Sequence, residues 1–117
     1  MAKRKIGELW IAEQLFGLPW EVRLAPTKSK ILDGGKTAGI CFYEDRLIYI
    51  DRGLSTEQKR VTLAHEIQHA IEDHAGVEHE SAADSAVADR WTDQMALGWV
   101  YVIRHCPHIL SALQGHE

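Results

Sequence analysis

Two cysteines in 117 residues are too few for a disulfide framework. Cys41 stands in an apolar, strand-like run and Cys106 just before Pro107; both read as reduced thiols, with Cys41 as a core filler. Long hydrophobic runs are lacking too. The longest unbroken apolar stretch, Met95 to Ile103, has nine residues and cannot span a bilayer. There is no excess of positive charge: a net charge of −4 and a pI near 5.9 argue against a chain that tracks phosphate backbones. The only cationic cluster, Lys3-Arg4-Lys5, does not open a signal peptide, because Glu8 and Glu13 interrupt the stretch where an apolar core would follow. Repeats and low-complexity tracts are also absent. What is left is a soluble globular chain with 45% apolar and 26% charged residues, expected to form one domain over 1–117. The expected compartment is the cytoplasm, with neither nucleic acid nor membrane as a partner.

Histidine, by contrast, is plentiful and lopsided, since all seven histidines follow residue 64. The elements before them set the frame. Ile6, Leu9, Trp10 and Phe16 recur at helical spacing, which predicts an N-terminal helix over residues 4–16 that Gly17 and Pro19 stop. Trp20 to Leu24 alternates between apolar and polar, as a half-buried strand does. Residues 27–37 are polar and carry Gly34-Gly35, so they read as a loop. The short runs 40–43 and 47–50 are joined by Glu44-Asp45-Arg46, which predicts an antiparallel hairpin. Leu47 to Ile50 is apolar at every position, as expected of a strand covered on both faces. Ser55-Thr56-Glu57-Gln58 spells a capping box, opening a helix from Thr56 to about Ala75 that Gly76 ends. A second long helix is expected from about Glu78 to Arg104, ended by Pro107. The fold class is α+β: a small, mostly antiparallel sheet with helices to one side.

His65-Glu66-Ile67-Gln68-His69 is an HExxH motif in the first of those long helices. Residues four apart share a helix face, so both imidazoles can reach one metal ion. Leu63, Ile67, Ala70 and Ile71 centre on the opposite side and can anchor the helix to the sheet, while Glu66 lies beside the histidines. Neutral imidazoles leave the charge of a bound zinc largely uncompensated, so the ion can polarise a carbonyl and acidify water. A carboxylate next to it can take the water's proton and pass it to the leaving amine.

A catalytic zinc needs a third protein ligand. The downstream candidates are His74, Glu78, His79, Glu80, Asp84, Asp89 and Asp93. Steps of ~100° per residue put Glu80 and Asp84 on the stripe of Val87, Trp91, Met95 and Val102, with Asp89 and Asp93 on the far side. Carboxylates on a buried stripe are costly unless paired, protonated or metal-bound. Zinc explains both, with Glu80 ligating and Asp84 orienting a ligating imidazole from one turn on. The alternative is that both sit in an exposed first turn and favour the helix dipole. His74 reads as a partial-core residue; His79 points away from Glu80, and His105, His108 and His116 read as solvated or packing residues of the tail. For the oxyanion, these histidines and Tyr43, Tyr49 and Tyr101 all stay open.

The stretch Thr62 to Ala70 around HExxH, preceded by Leu47-Ile48-Tyr49-Ile50-Asp51, resembles the ImmA/IrrE-type metallopeptidases within the gluzincins. Glu80-Ser81-Ala82-Ala83-Asp84 resembles that family's Glu-x-x-Ala-Asn/Asp stretch. Gln68 stands where the family usually has glycine. The resemblance implies a minimal zincin fold: a strand leading into the HExxH helix, a glutamate helix completing the metal site, and an edge strand that pairs with an extended substrate. By the hairpin reading that edge is residues 39–44.

The function expected is therefore a zinc-dependent metallopeptidase, with one zinc per chain on His65, His69 and Glu80. It hydrolyses peptide bonds by a metal-activated water with Glu66 as general base, on a protein or peptide substrate, with a regulatory protein as a further candidate partner. One rival is a zincin-like module that keeps zinc and binds a partner without turnover; another is a structural site closed by a fourth protein ligand.

Overall fold

The computed structural model describes residues 5–76 and 85–115, for 85–88 the backbone alone. Four strands, β1 (Glu8–Leu15), β2 (Leu18–Ala25), β3 (Gly39–Phe42) and β4 (Leu47–Asp51), form one mixed sheet in the order β1-β2-β4-β3. The β1–β2 and β3–β4 pairs are antiparallel, and β2–β4 is parallel. The expected hairpin is thus present, with Phe42 opposite Leu47, and β3 is an edge strand. All five residues of β4 are buried. Ile48 and Ile50 join the core on the helix side, whereas Leu47 and Tyr49 pack with Ala25 and Leu32 on the other face. Part of the expected loop, Lys30–Gly35, coils into 3-10 turns that supply Leu32.

The N-terminal segment overturns the helix expectation, for residues 8–15 are strand β1. The helical spacing of its apolar residues has a different origin: a bulge between Leu9 and Ile11 shifts the register and breaks the period of two. Beyond the bulge, Ile11 and Leu15 are buried on one face, and Glu13 lies between them on that face. Phe16 (φ 53°) and Gly17 (φ 80°) then make a two-residue hairpin turn. Phe16 is an unusual residue for positive φ. Stacking on His74 (4.1 Å) and Tyr101 (4.6 Å) holds it there.

Helix α1 (Thr56–Ala75) begins as the sequence spells. Ser55 Oγ accepts from Gln58 N, Gln58 Oε1 accepts from Ser55 N, and Gly76 ends the helix at φ 69°. Leu63, Ile67, Ala70 and Ile71 are buried against the sheet and α2, as the helical periodicity requires. Helix α2 (Ser85–His105) turns Met95 and Val102 inward, and its Gly98 packs against Ile71, where a side chain would collide. Pro107 does not leave an irregular tail. It occupies the first turn of a further helix, α3 (Pro107–Gln114), which the sequence reading did not anticipate. The buried Glu13 carboxylate accepts from His108 N (2.8 Å) and Ile109 N (3.4 Å), so β1 caps α3 across the fold. Cys106 is buried and Cys41 half-buried, both as free thiols. No helix among the described residues is long and apolar enough to cross a membrane.

Candidate metal centre and catalytic cleft

Strand β4 ends at Asp51, whose Oδ1 accepts from Thr27 Oγ1 (2.9 Å) and Gly53 N (2.8 Å). These bonds fix the turn into α1, and the capping box fixes its first residue. The helix that follows projects His65 and His69 from one face. Their Nε2 atoms lie 3.1 Å apart, and the rings meet edge to face with centroids 4.7 Å apart. Two nitrogens on one tetrahedral zinc, each at about 2.05 Å, stand roughly 3.3 Å apart. The pair as folded therefore matches the spacing that a shared metal demands.

The tautomer is also prepared. His69 Nδ1 donates to Glu72 Oε1 at 2.9 Å, and Glu72 Oε2 accepts from Trp91 Nε1 at 2.9 Å. A carboxylate with both oxygens engaged holds the Nδ1 proton and leaves the Nε2 lone pair directed outward. One turn earlier on α1, Gln68 Oε1 accepts from Trp99 Nε1 at 2.6 Å. Two tryptophans of α2 thus fasten the back of the histidine turn. Glu72 and Trp91 were missed in the sequence, where the orienting role went to Asp84.

Glu66 differs sharply from its neighbour. Its side chain is only 6% exposed against 65% for His65, and its Oε2 lies 4.0 Å from His65 Nε2. Burial pushes its carboxyl above the usual carboxylate range, partly opposed by the nearby imidazoles. A carboxylate so placed is a stronger base than a solvated one. It opens on a cleft of about 330 Å³ lined by Thr37, Ala38, Gly39, Val61, Thr62, His65 and Glu66. The cleft runs between α1 and the start of edge strand β3. Gly39 makes that approach possible, because a Cβ there would stand 2.7 Å from Thr62 Cγ2 and 3.3 Å from Glu66 Cγ.

The tyrosines left open in the sequence now separate. Tyr49 is buried on the far face of the sheet, where its hydroxyl accepts from Ile6 N at 3.3 Å. Tyr101 stacks on Phe16 and meets the His105 ring at a tilt near the end of α2. Tyr43, following β3, is 39% exposed. Its phenol is pushed up to about 12, by burial first and then by Cys41, Asp73, Glu72 and Glu66. Of the three, it is the tyrosine that shares the electrostatic field of the site. Cys41, two residues earlier on β3, is also pushed up to about 12 by burial, with Glu66 and Asp73 contributing, so its thiol stays protonated.

His74 stacks on Phe16 but is exposed, so it contributes a ring face rather than a core residue. Asp89 and Asp93 are exposed, as their side of α2 predicted, while Trp91 is half-buried and Met95 and Val102 are buried on the opposite stripe. Glu78, His79, Glu80, Asp84 and His116 lie outside the described residues. Among the described residues no group of three or more metal-ligating side chains gathers.

No match to the chain is found among curated proteins or solved structures. A family match covers residues 24–96, from the end of β2 through the HExxH helix to the first half of α2. That span is well over half of the chain and contains the histidine pair, the buried glutamate and the edge strand, so the chain belongs to the peptidase family described as the IrrE N-terminal-like domain.

Proposed function

We propose that this chain is a zinc-dependent peptidase in which His65 and His69 supply two metal ligands, Glu80 the third, and Glu66 the general base. The observation that carries the reading is the pairing of two convergent Nε2 atoms, 3.1 Å apart, with a buried carboxylate beside them, His65 and Glu66 both lining one cleft. The donor set fits zinc: borderline nitrogen ligands, one of them already oriented by a carboxylate, with an open side toward the cleft. Zinc, when bound, would acidify water and polarise the scissile carbonyl.

The chain's own residues do the rest. Glu66 takes a proton from water in the cleft and delivers it to the departing nitrogen, a task suited to a carboxyl whose proton affinity burial has raised. Glu72 and Trp91 hold the His69 ring still. Edge strand β3 offers its free backbone groups to an extended peptide, whose scissile bond then runs past Glu66. Glu80, outside the described residues, enters from the sequence alone, where steps of ~100° per residue put it on the stripe of Trp91, Met95 and Val102.

Metal analysis together with the Glu66→Gln variant tests the reading. Protein reconstituted with zinc should hold one ion per chain, and Glu66→Gln should keep it while losing hydrolysis of a quenched fluorescent peptide library. Failure to hold zinc after reconstitution would sink the metal site. Wild-type turnover in Glu66→Gln would remove Glu66 as the base. Zinc without any turnover in the wild type would favour the non-hydrolytic binding module.

A further inference from the structure

Three of the large hydrophobic side chains left exposed in this fold sit together on α2: Leu97 at 64%, Val100 at 51% and Ile103 at 57%. Met95, Gly98 and Val102 are the buried positions of the same stretch. At ~100° per residue, Leu97 and Val100 fall roughly opposite them, with Ala96 and Ile103 along one flank. Charge closes this apolar stripe at both ends. Asp93 precedes Leu97 by one turn, Arg104 follows Val100 by one turn, and both are exposed.

The positions 93, 97, 100 and 104 follow the four-three-four spacing of a coiled-coil seam. In a two-fold contact residue i meets residue j and j meets i. Laid antiparallel on a second copy, with Leu97 against the partner's Val100, the seam brings Asp93 opposite the partner's Arg104 at both ends. The register that stacks apolar on apolar is also the one that joins opposite charges. A parallel arrangement would set Asp93 on Asp93 and Arg104 on Arg104.

We propose that the outer face of α2 is a self-association surface, on which two copies of this chain pack antiparallel across Leu97, Val100 and Ile103 with an Asp93–Arg104 pair at each end. Among the described residues, none that lines the Glu66 cleft belongs to α2, so the seam leaves both clefts clear in the dimer. The apolar seam spans only two turns, which places the contact among small, reversible interfaces with a Kd on the order of tens of micromolar.

Sedimentation equilibrium of the full chain, from about 5 to about 500 μM, reads the proposal directly. The wild type should pass from monomer to dimer over that range. Val100→Asp, Asp93→Arg and Arg104→Asp should each weaken association at least about tenfold, since like or unpartnered charge enters the seam. All three positions are exposed, and far-UV circular dichroism checks that the variants fold. The double reversal Asp93→Arg/Arg104→Asp should return the dimer to near wild-type strength, which a merely sticky patch would not do. A wild type that stays monomeric at 500 μM overturns the proposal and leaves this face to a different partner. A double reversal that stays monomeric overturns the antiparallel register.

Discussion

Glu72→Gln is the smallest change that probes how the proposed metal centre is held. Glu72 is 12% exposed in its side chain and receives two donors, His69 Nδ1 and Trp91 Nε1, each at 2.9 Å. A carboxylate can accept both; a glutamine amide has one oxygen to accept and a nitrogen that only donates. The variant must therefore give up the bond from the indole to position 72, or turn its NH2 toward His69. The second choice drives the imidazole to the tautomer with a proton on Nε2, which cannot ligate. Loss of such a support costs ~10 to 100-fold in metal affinity or activity, about 1.4 to 2.7 kcal/mol. Competition for zinc against a chromogenic chelator measures the shift, with Glu57→Gln as the control. Glu57 is exposed and, among the described residues, bonds Arg60 on the first turn of α1, so its loss should leave zinc affinity unchanged. Trp91→Phe removes one of the two donors and should fall between wild type and Glu72→Gln. Zinc affinity within twofold of wild type in Glu72→Gln would refute the orienting role.

Gly39→Ala puts a methyl 2.7 Å from Thr62 Cγ2, so β3 must retreat from α1 by roughly 1 Å. Thermal unfolding should register about 1 to 3 kcal/mol, and hydrolysis should fall up to ~100-fold while zinc affinity holds. In metal-free protein, Glu66→Gln should stabilise the fold at neutral pH, read as a Tm above that of the wild type. The sign follows from linkage: the folded carboxyl is raised, so the stability of the neutral form is lost as pH rises through its folded value. The gap between the Tm values of wild type and variant should close in acid; a gap that widens in acid would reverse the assignment. Glu80→Ala should lower zinc affinity far more than Asp89→Ala, with Asp84→Ala between them, as ranked by the same chelator. An Asp89 effect equal to that of Glu80 would mean the inward stripe of α2 does not run on to Glu80.

The reach of the sequence depended on whether a signal was local. Ser55 with Gln58, the glycine after Ala75 and the all-apolar run Leu47 to Ile50 within β4 each announce themselves within a few residues, and each is found as written. The N-terminal strand does not. Its bulge places Leu9, Trp10 and Ile11 in a row, its turn uses Phe16 where asparagine would be expected, and the support for that turn comes from His74 and Tyr101, far along the chain. Tertiary stacking overrides local preference there, and no window of sequence contains it. Helix α3 hid for the same reason. Proline at its start read as a stop, while the group that caps its backbone, Glu13, lies 95 residues away.

The HExxH spelling itself says only that two imidazoles and a carboxylate share one helix. What makes it a candidate site comes from elsewhere. Gln68, in place of the glycine usual before the second histidine, gives Trp99 an acceptor, and one turn later Glu72 does the same for Trp91. Position 68 is thus a point of attachment between α1 and α2 rather than a loss of backbone freedom. The exchange has a physical logic. Glycine within a helix costs about 1 kcal/mol relative to alanine, whereas glutamine is a good helix former that adds a hydrogen bond to the neighbouring helix. Gln68→Gly should therefore lower stability by about 1 to 2 kcal/mol, from propensity and the lost bond together. Zinc affinity should drop less than in Glu72→Gln, because the His69 ring keeps its carboxylate. If Gln68→Gly instead matched Glu72→Gln in metal loss without destabilising the fold, the residue would be acting on the metal and not on the helix pair.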